Sequence, residues 1–495
     1  MSSRAPLLVV GDTLLDLDIA GHAERLAPDA PVPVVGRADR VARPGGAALA
    51  ACLAAEDGRE VTLVTALGDD ASSEEVRNLL SGRVRLVELP LRGKLSSKAR
   101  FLADGRALLR LDDGDGRATA ATADAEDAVA RARAVLVADY GRGTADALRG
   151  ALERSAAHAP VVWDPHPDGG APVAGTCLVT PAAAEARHFA RQGTPGRTGP
   201  AGGADRKTTG PAGWLHGAAR DARVLLEIWD STSVAVTLGE HGALLSHGEA
   251  PLFVPAPWKA DGDCCGAGDR FAATAAAMLA DGALTEAAVR GAVDAATRYV
   301  ADGGASTVMT AGRLLGPGAD GSGARSRTPA GAFQRVRRIR EAGGTVVAAG
   351  GCFDLLHAGH VEMLQAARRI GDCLVVCVNS DASVRRRKGV GRPVVPAADR
   401  VRVLAALGCV DAVVVFDEDT PERLLDELRP DVWAKGGDYA LADLPEAALL
   451  ESWGGQVVLL PYLDGRSSTG LAERAAGRTA PVSRADRSAA EAAGS

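Results

Sequence analysis

The chain has 495 residues, 46% hydrophobic and 24% charged, a balance that excludes an unfolded or fibrous chain and implies roughly two or three domains at this length. A net charge of −7 leaves no global electrostatic footprint for nucleic acid, and no run approaches the roughly 18 apolar residues of a membrane span. Met1 to Pro6 leads straight into an apolar run with no signal-peptide pattern, so a cytoplasmic protein with no nucleic-acid or membrane partner is expected.

From the amino terminus, apolar runs at Leu7 to Val10, Val61 to Thr65, Ala134 to Ala138, Val161 to Trp163 and Val234 to Leu238 alternate with Ala-rich segments of helical spacing. Alternation of this kind predicts a parallel sheet covered by helices. PDAPVPVV, from Pro28, stands apart, because its three prolines enforce a stiff, extended segment: an edge strand or a lid. GTPGRTGPAGGADRKTTGPAG, from Gly193 to Gly213, reads as a surface loop. A second series of strands starts at Thr345 to Ala349 and continues through Leu374 to Val378, Ala412 to Val415 and Val457 to Leu460. Between the two series, Gly312 to Ala332 is rich in Gly, Ser and Pro and cannot bury enough surface to fold alone. The expected organisation is therefore an α/β domain over 1–312, a linker over 313–333, a second α/β domain over 334–475 and a disordered tail over 476–495. Eight cysteines, at 52, 177, 264, 265, 352, 373, 377 and 409, lie mostly in apolar runs, and Cys373 and Cys377 share one face of the strand CLVVCV. Reduced packing thiols fit that pattern better than disulfides or zinc.

In the first domain the chemistry concentrates in DGDCCGAGDRFAATAAAMLA, from Asp261. Gly266, Ala267 and Gly268 precede an Ala-rich helix, and their small side chains let backbone N–H groups close around a phosphoryl group. Asp269 falls in the first helical turn, where a carboxylate can accept the proton of an attacking hydroxyl. The plain alternative is an acid that complements the helix dipole behind a tight turn.

In the second domain, TVVAAGGCFDLLHAGH places His357 and His360 where a strand gives way to a helix expected over Ala358 to Ile370. Such junctions favour anions, and two imidazoles three residues apart can reach one phosphate; surface decoration or half a metal site is the competing account. Lys388 ends the basic run from Arg385, either a solvated face or a phosphate contact. Lys435 and Gly436 follow the short strand VWA, as a ligand loop at the sheet's carboxyl edge or as an ordinary Gly-Gly-Asp turn. Arg466 in GRSSTGL can hold a triphosphate while Ser467, Ser468 and Thr469 donate hydroxyls at another helix start, or it is a plain loop arginine.

These strings resemble known families. DGDCCGAGD is similar to the Asp-Thr-x-Gly-Ala-Gly-Asp motif of ribokinase-like sugar kinases, with Cys264 in place of Thr, and the resemblance spans residues 6 to 312. It implies a sandwich-like α/β kinase fold with a small lid, Asp269 as base, and Gly266, Ala267 and Gly268 around the phosphates. It also implies sugar contacts at Asp12 and Asp16 in VVGDTLLD and at Gly45 and Gly46 in RPGGAA. Nucleotide contacts are implied at Thr237, Gly239 and Gly242 in VTLGEHGALL. GCFDLLHAGH resembles the signature of nucleotidyltransferases, which implies a Rossmann-like domain, catalysis by His357, His360 and Lys388, and nucleotide binding that includes Cys352 and Phe353.

With PDAPVPVV, VNSDASVRRRKG and AKGGDY added, the halves look like heptose 7-phosphate kinases and heptose 1-phosphate adenylyltransferases respectively. The implied activity is phosphorylation at C1 of D-glycero-D-manno-heptose 7-phosphate, then AMP transfer from ATP to heptose 1-phosphate with loss of pyrophosphate. Mg2+ is expected with ATP in both domains, with Glu185 as the metal-associated residue of the first. A separate sugar phosphatase is implied between the steps, because Asp16-Leu17-Asp18 does not continue into a phosphatase motif. Homodimerisation through the kinase lid is a further expectation. Three departures, Leu49 for Asn, Ala182 for the Asn of Asn-x-x-Glu, and His166 for Lys, motivate an alternative in which only the second domain is active and the first is a divergent kinase or a sugar-phosphate sensor.

Overall fold

The computed structural model describes residues 4–103, 106–193, 213–248, 251–260, 262–306, 329–389, 391–436 and 444–461. It separates into two compact units, Met1–Gly203 with Gly217–Gly318, and Ala204–His216 with Ala319–Ser495. The bulk of the expected linker lies outside the described residues, but a helix, Pro329–Glu341, takes in its end.

The first unit is built on β1 (Leu7–Gly11), whose LLVVG is buried throughout, as a central parallel strand must be. In chain order come β2 (Thr13–Leu26), β3 (Pro33–Gly46), β4 (Val61–Leu67), β5 (Arg85–Arg92), β6 (Ser97–Ala103), β7 (Arg106–Asp113), β8 (Arg117–Ala118), β9 (Val135–Asp139), β10 (Val161–Pro165), β11 (Leu178–Val179), β12 (Val234–Thr237), β13 (Gly242–Ser246) and β14 (Leu252–Pro255). The main sheet runs β14-β13-β12-β11-β10-β9-β1-β4-β5-β8 within this unit. Its strands from β5 to β12 are parallel, and β13, β14 and β8 join antiparallel at the two edges.

A separate four-stranded sheet, β3-β2-β6-β7, forms the lid. The proline-rich segment does lead into an edge strand, β3, because proline lacks the N–H that an inner ladder needs. The strands β2 and β3 run 14 residues each and were not evident from the sequence, since their mixed charged and apolar residues never form an unbroken buried run. From Gly46 the chain turns into the helix Ala47–Glu56, which is buried along most of its length.

The second unit has five parallel strands, β15 (Val346–Gly351), β16 (Cys373–Asn379), β17 (Ala412–Phe416), β18 (Val432–Gly436) and β19 (Gln456–Leu460). Their order is β17-β16-β15-β18-β19. Strand order reverses between β15 and β18, and the carboxyl edge at such a switch point is where doubly wound sheets bind ligands. The helix Ala358–Ile370 follows β15 as its spacing predicts. All eight cysteines are free, with Cys52, Cys373 and Cys377 buried, whereas Cys264 is exposed and so is no core thiol.

Candidate active sites

In the first unit the carboxyl ends of β1, β9 and β10 bring Asp12, Tyr140 and Asp164 toward the amino end of the helix Ala267–Ala280. Gly266 caps that helix in the left-handed region, φ +80, and Asp269 is buried in its first turn. Burial pushes the Asp269 carboxyl up to about 7; a hydrogen bond from the Tyr140 hydroxyl to its Oδ1, 3.0 Å long, opposes the rise, Asp16 adds to it and Lys98 subtracts. Burial also holds Asp164 well above the ordinary carboxylate range, with Asp269 contributing, while Thr180 donates to its Oδ1 at 2.8 Å.

Two cavities reach the residues beside this acid, one through Gly268 and one through Tyr140. One, of about 210 Å³ and mainly apolar, is lined by Thr237, Gly239 and Gly242 together with Ala267 and Gly268, so those expected nucleotide residues come together. A Cβ on Gly268 would meet nothing within 4 Å, which leaves its backbone open to a ligand. The other cavity, of about 320 Å³, is polar and lies under the lid, with Lys98, Arg142, His166 and Tyr140 in its wall.

The expected sugar residues divide. Asp16 is half-buried, its carboxyl raised by burial against the charges of Lys98, Arg43 and Arg100. Gly45 lies directly against it, since a Cβ there would stand 2.7 Å from Asp16 Oδ2. Gly46, at φ +58, makes the turn into the following helix. Asp12 has its oxygens occupied: Tyr140, Arg142 and Thr144 donate backbone N–H groups to it at 3.1, 2.8 and 3.1 Å. Asp18 is engaged by Arg43 and Arg100, which leaves no paired-aspartate nucleophile in Asp16-Leu17-Asp18.

The departures also find places. Leu49 packs with Leu53, Tyr299 and Ala305 beneath the Gly266 turn. Ala182 donates its N–H to Glu185 Oε2 at 2.8 Å and bridges to Thr237, and burial raises the Glu185 carboxyl. His166 is half-buried with its ring 5.5 Å from that of Tyr140, and burial lowers its pKa. Tyr140, Asp164 and Lys98 escaped sequence reasoning; the available signal for two of them was the polar residue that ends each apolar strand, at Asp139-Tyr140 and Asp164.

In the second unit a cavity of about 260 Å³ opens at the switch point, lined by Cys352 and Phe353 from the turn after β15, His360 in the first turn of the helix Ala358–Ile370, Lys388, and Lys435 and Gly436 at the end of β18. His357 occupies the N-cap position and its ring stacks on that of His360, centroids 3.9 Å apart. Burial, His357 and Lys388 together lower His360 to about 4, so its imidazole is neutral at neutral pH. Phe353 adopts φ +48 and packs its ring 5.2 Å from His360. Lys435 Nζ pairs with the buried Glu446 at 3.1 Å. Behind the turn, the buried Arg400 donates to the carbonyls of Cys352 and Asn379 and to Asp381, which fixes the cavity floor. Trp433, Asn379 and Met363 also line the space, and nothing in their local sequence marks them. Arg466, Ser467, Ser468 and Thr469 lie outside the described residues.

Residues 212–311 match the pfkB family of carbohydrate kinases and residues 348–460 the cytidylyltransferase-like family. Over 480 residues, 96% of this chain and 97% of the relative, the sequence is 62% identical to the bifunctional protein HldE of Streptomyces coelicolor. The chain belongs to the HldE family. Identity to the HldE proteins of Pseudomonas aeruginosa and Azotobacter vinelandii is 36% and 37%, each over 95% of this chain and 97% of theirs. In HldE terms the first unit is the carbohydrate kinase and the second the nucleotidyltransferase. Both halves are matched, which does not favour the alternative of a single active domain. Among the described residues no helix is long and apolar enough to cross a membrane.

Proposed function

We propose that the two units carry out two ATP-dependent steps in making an ADP-heptose, and that the residues described above divide the work as follows. In the kinase, Asp269 accepts the proton of the C1 hydroxyl of heptose 7-phosphate while that oxygen attacks the γ-phosphorus of ATP and ADP leaves. The observation that carries this is that Asp269 directly follows Gly268, in the wall of the apolar cavity, and accepts a hydrogen bond from Tyr140, in the wall of the polar one. Lys98, Arg142 and His166 give the polar cavity the donors for the sugar's own phosphate. Gly266 and Gly268 are assigned to present N–H groups to the transferring phosphoryl group, whereas the Ala267 N–H is taken up by the Cys264 carbonyl at 3.1 Å, so Ala267 serves the turn by its small size.

In the transferase a phosphate oxygen of heptose 1-phosphate attacks the α-phosphorus of ATP, and pyrophosphate departs. His357, His360, Lys388 and Lys435 face or border the cavity where charge grows, and no covalent intermediate is needed. Arg466 and the hydroxyls of Ser467, Ser468 and Thr469 are assigned to the triphosphate on sequence grounds alone.

Magnesium suits this chemistry as the ion that neutralises the polyphosphate. Glu185 fits it, being a half-buried hard-oxygen donor with one oxygen on the Ala182 N–H. Among the described residues no cluster of three ligating side chains forms a complete cage, as expected when most of the ligands are phosphates and water. Cytoplasmic placement, a separate phosphatase to remove the 7-phosphate, and a dimer through the lid complete the proposal. Exposed Leu108, Leu109 and Leu111 on the edge strand β7 support the last of these.

The test is to incubate the full chain with heptose 7-phosphate, MgATP and a sugar phosphatase and to identify products by mass spectrometry. ADP-heptose is expected, and its loss when the phosphatase is omitted. Heptose 1-phosphate without ADP-heptose would reject the second assignment, and no heptose 1,7-bisphosphate in the arm without phosphatase the first.

A further inference from the structure

The hydroxyl of Tyr140 donates to Asp269 Oδ1 at 3.0 Å. Nothing in the family resemblance assigns this tyrosine, which directly follows β9 and packs its ring in the wall of the polar cavity, beside His166 and with Lys98 Nζ 5.7 Å from its centroid. Its backbone is equally constrained. Asp12 accepts the N–H groups of Tyr140, Arg142 and Thr144, so one carboxylate holds the whole turn that carries the phenol.

We propose that Tyr140 is the positioning residue of phosphoryl transfer, holding one oxygen of Asp269 so that the other meets the sugar hydroxyl, and that Asp12 acts one step further out by pinning the Tyr140 turn. The inference rests on the kinase assignment above and gives Asp12 a role without sugar contact. In the step itself the hydroxyl proton passes to Asp269 and the new O–P bond forms as the bond from the γ-phosphorus to the ADP oxygen breaks. Tyr140 keeps its proton throughout, since burial and the neighbouring carboxylates hold it well above the ordinary phenol range.

The hydrogen bond matters here because burial and the Asp16 charge oppose ionisation of Asp269, with the Tyr140 hydroxyl, the Lys98 charge and a backbone N–H favouring it. Asp16 from β2 and Asp164 from β10 are the acids that face it, Cys265 and Tyr299 stand nearby as neutral groups with raised pKa values, and Lys98 from β6 is the cation among these. A donor to Oδ1 favours the charged carboxylate and fixes its rotation at once.

Tyr140→Phe keeps the ring and the cavity wall and removes only the donor. In the full chain, with ADP formation followed across pH, kcat should fall about tenfold and the acid limb of kcat/KM should move up by about one pH unit, with KM for heptose 7-phosphate nearly unchanged. A kcat within twofold of wild type and an unmoved limb would overturn the proposal, as would a raised KM at unchanged kcat, which would make Tyr140 a wall residue only. Asp12→Asn provides an independent variant should Tyr140→Phe fail to fold: the same direction of limb movement is expected, and a lowered rate with an unmoved limb counts against the proposal. Wild-type turnover of heptose 7-phosphate in the same assay separates failure here from failure of the kinase assignment; a wild type that forms no ADP removes both.

Discussion

Tyr299 donates its hydroxyl to the Cys265 carbonyl at 3.0 Å, directly under the position where a side chain on Gly266 would begin. A Cβ at Gly266 would stand 2.6 Å from that hydroxyl and 2.7 Å from Leu49 Cδ2, and the residue is already at φ +80. Gly266→Ala therefore meets two penalties at the phosphoryl-binding turn, left-handed backbone and direct overlap. Kinase turnover should drop about a hundredfold, as misplacement on the ångström scale does, while pyrophosphate release by the second unit stays at the wild-type rate. Tyr299→Phe should cost about 1 kcal/mol of stability and a smaller share of the rate. Wild-type ADP formation by Gly266→Ala would show that the turn does not hold the phosphoryl group.

Asp269 predicts a trade between activity and stability. Its folded carboxyl is raised to about 7 by burial, above its unfolded value, so the folded state binds the extra proton. The stabilising contribution is complete below the unfolded pKa and is lost as pH rises through the folded one. Asp269→Asn should abolish ADP formation and yet melt higher than wild type, with an advantage that grows between about pH 5 and pH 8. Melting curves at both pH values decide it; an advantage that shrank with pH would mean that the acid is not buried as described.

Much of this was legible because strands buried on both faces write themselves as unbroken apolar runs, as LLVVG and CLVVCV do, and because the helix start Gly266-Ala267-Gly268-Asp269 sits beside its own chemistry. The lid was legible only at PDAPVPVV and through the resemblance, and its long strands were not, because β2 and β3 carry ion pairs such as Asp18 with Arg43 and Arg100, so no alternation appears. Tyr140 and Asp164 were invisible for another reason. Each meets Asp269 only through a contact more than a hundred residues long in sequence, and no local pattern records such a meeting.

His360 carries a proton-linked signature. Burial, His357 and Lys388 lower it to about 4, and a bound triphosphate would favour the imidazolium and raise it again. Nucleotide binding to the second unit should then take up a proton near pH 5 to 6, and calorimetry in two buffers of different ionisation heat measures it. His360→Gln should abolish the uptake. Binding of wild type with no proton exchanged would leave His360 as a neutral hydrogen-bond donor instead of a cation in the complex.

Lys435 has two duties that can be separated. Its Nζ stands 3.1 Å from Glu446 Oε1, whose side chain is 4% exposed, and the same lysine lines the nucleotide cavity. Lys435→Met leaves a buried carboxylate without its cation, so the second unit should lose about 1–3 kcal/mol as well as affinity for ATP. Replacing the acid too, in Lys435→Met/Glu446→Gln, removes the uncompensated charge and should restore most of the stability. It should not restore the affinity, because the positive charge toward the phosphates is still missing. Recovery of both together would mean that Lys435 serves only Glu446 and that the triphosphate is held from elsewhere in the cavity.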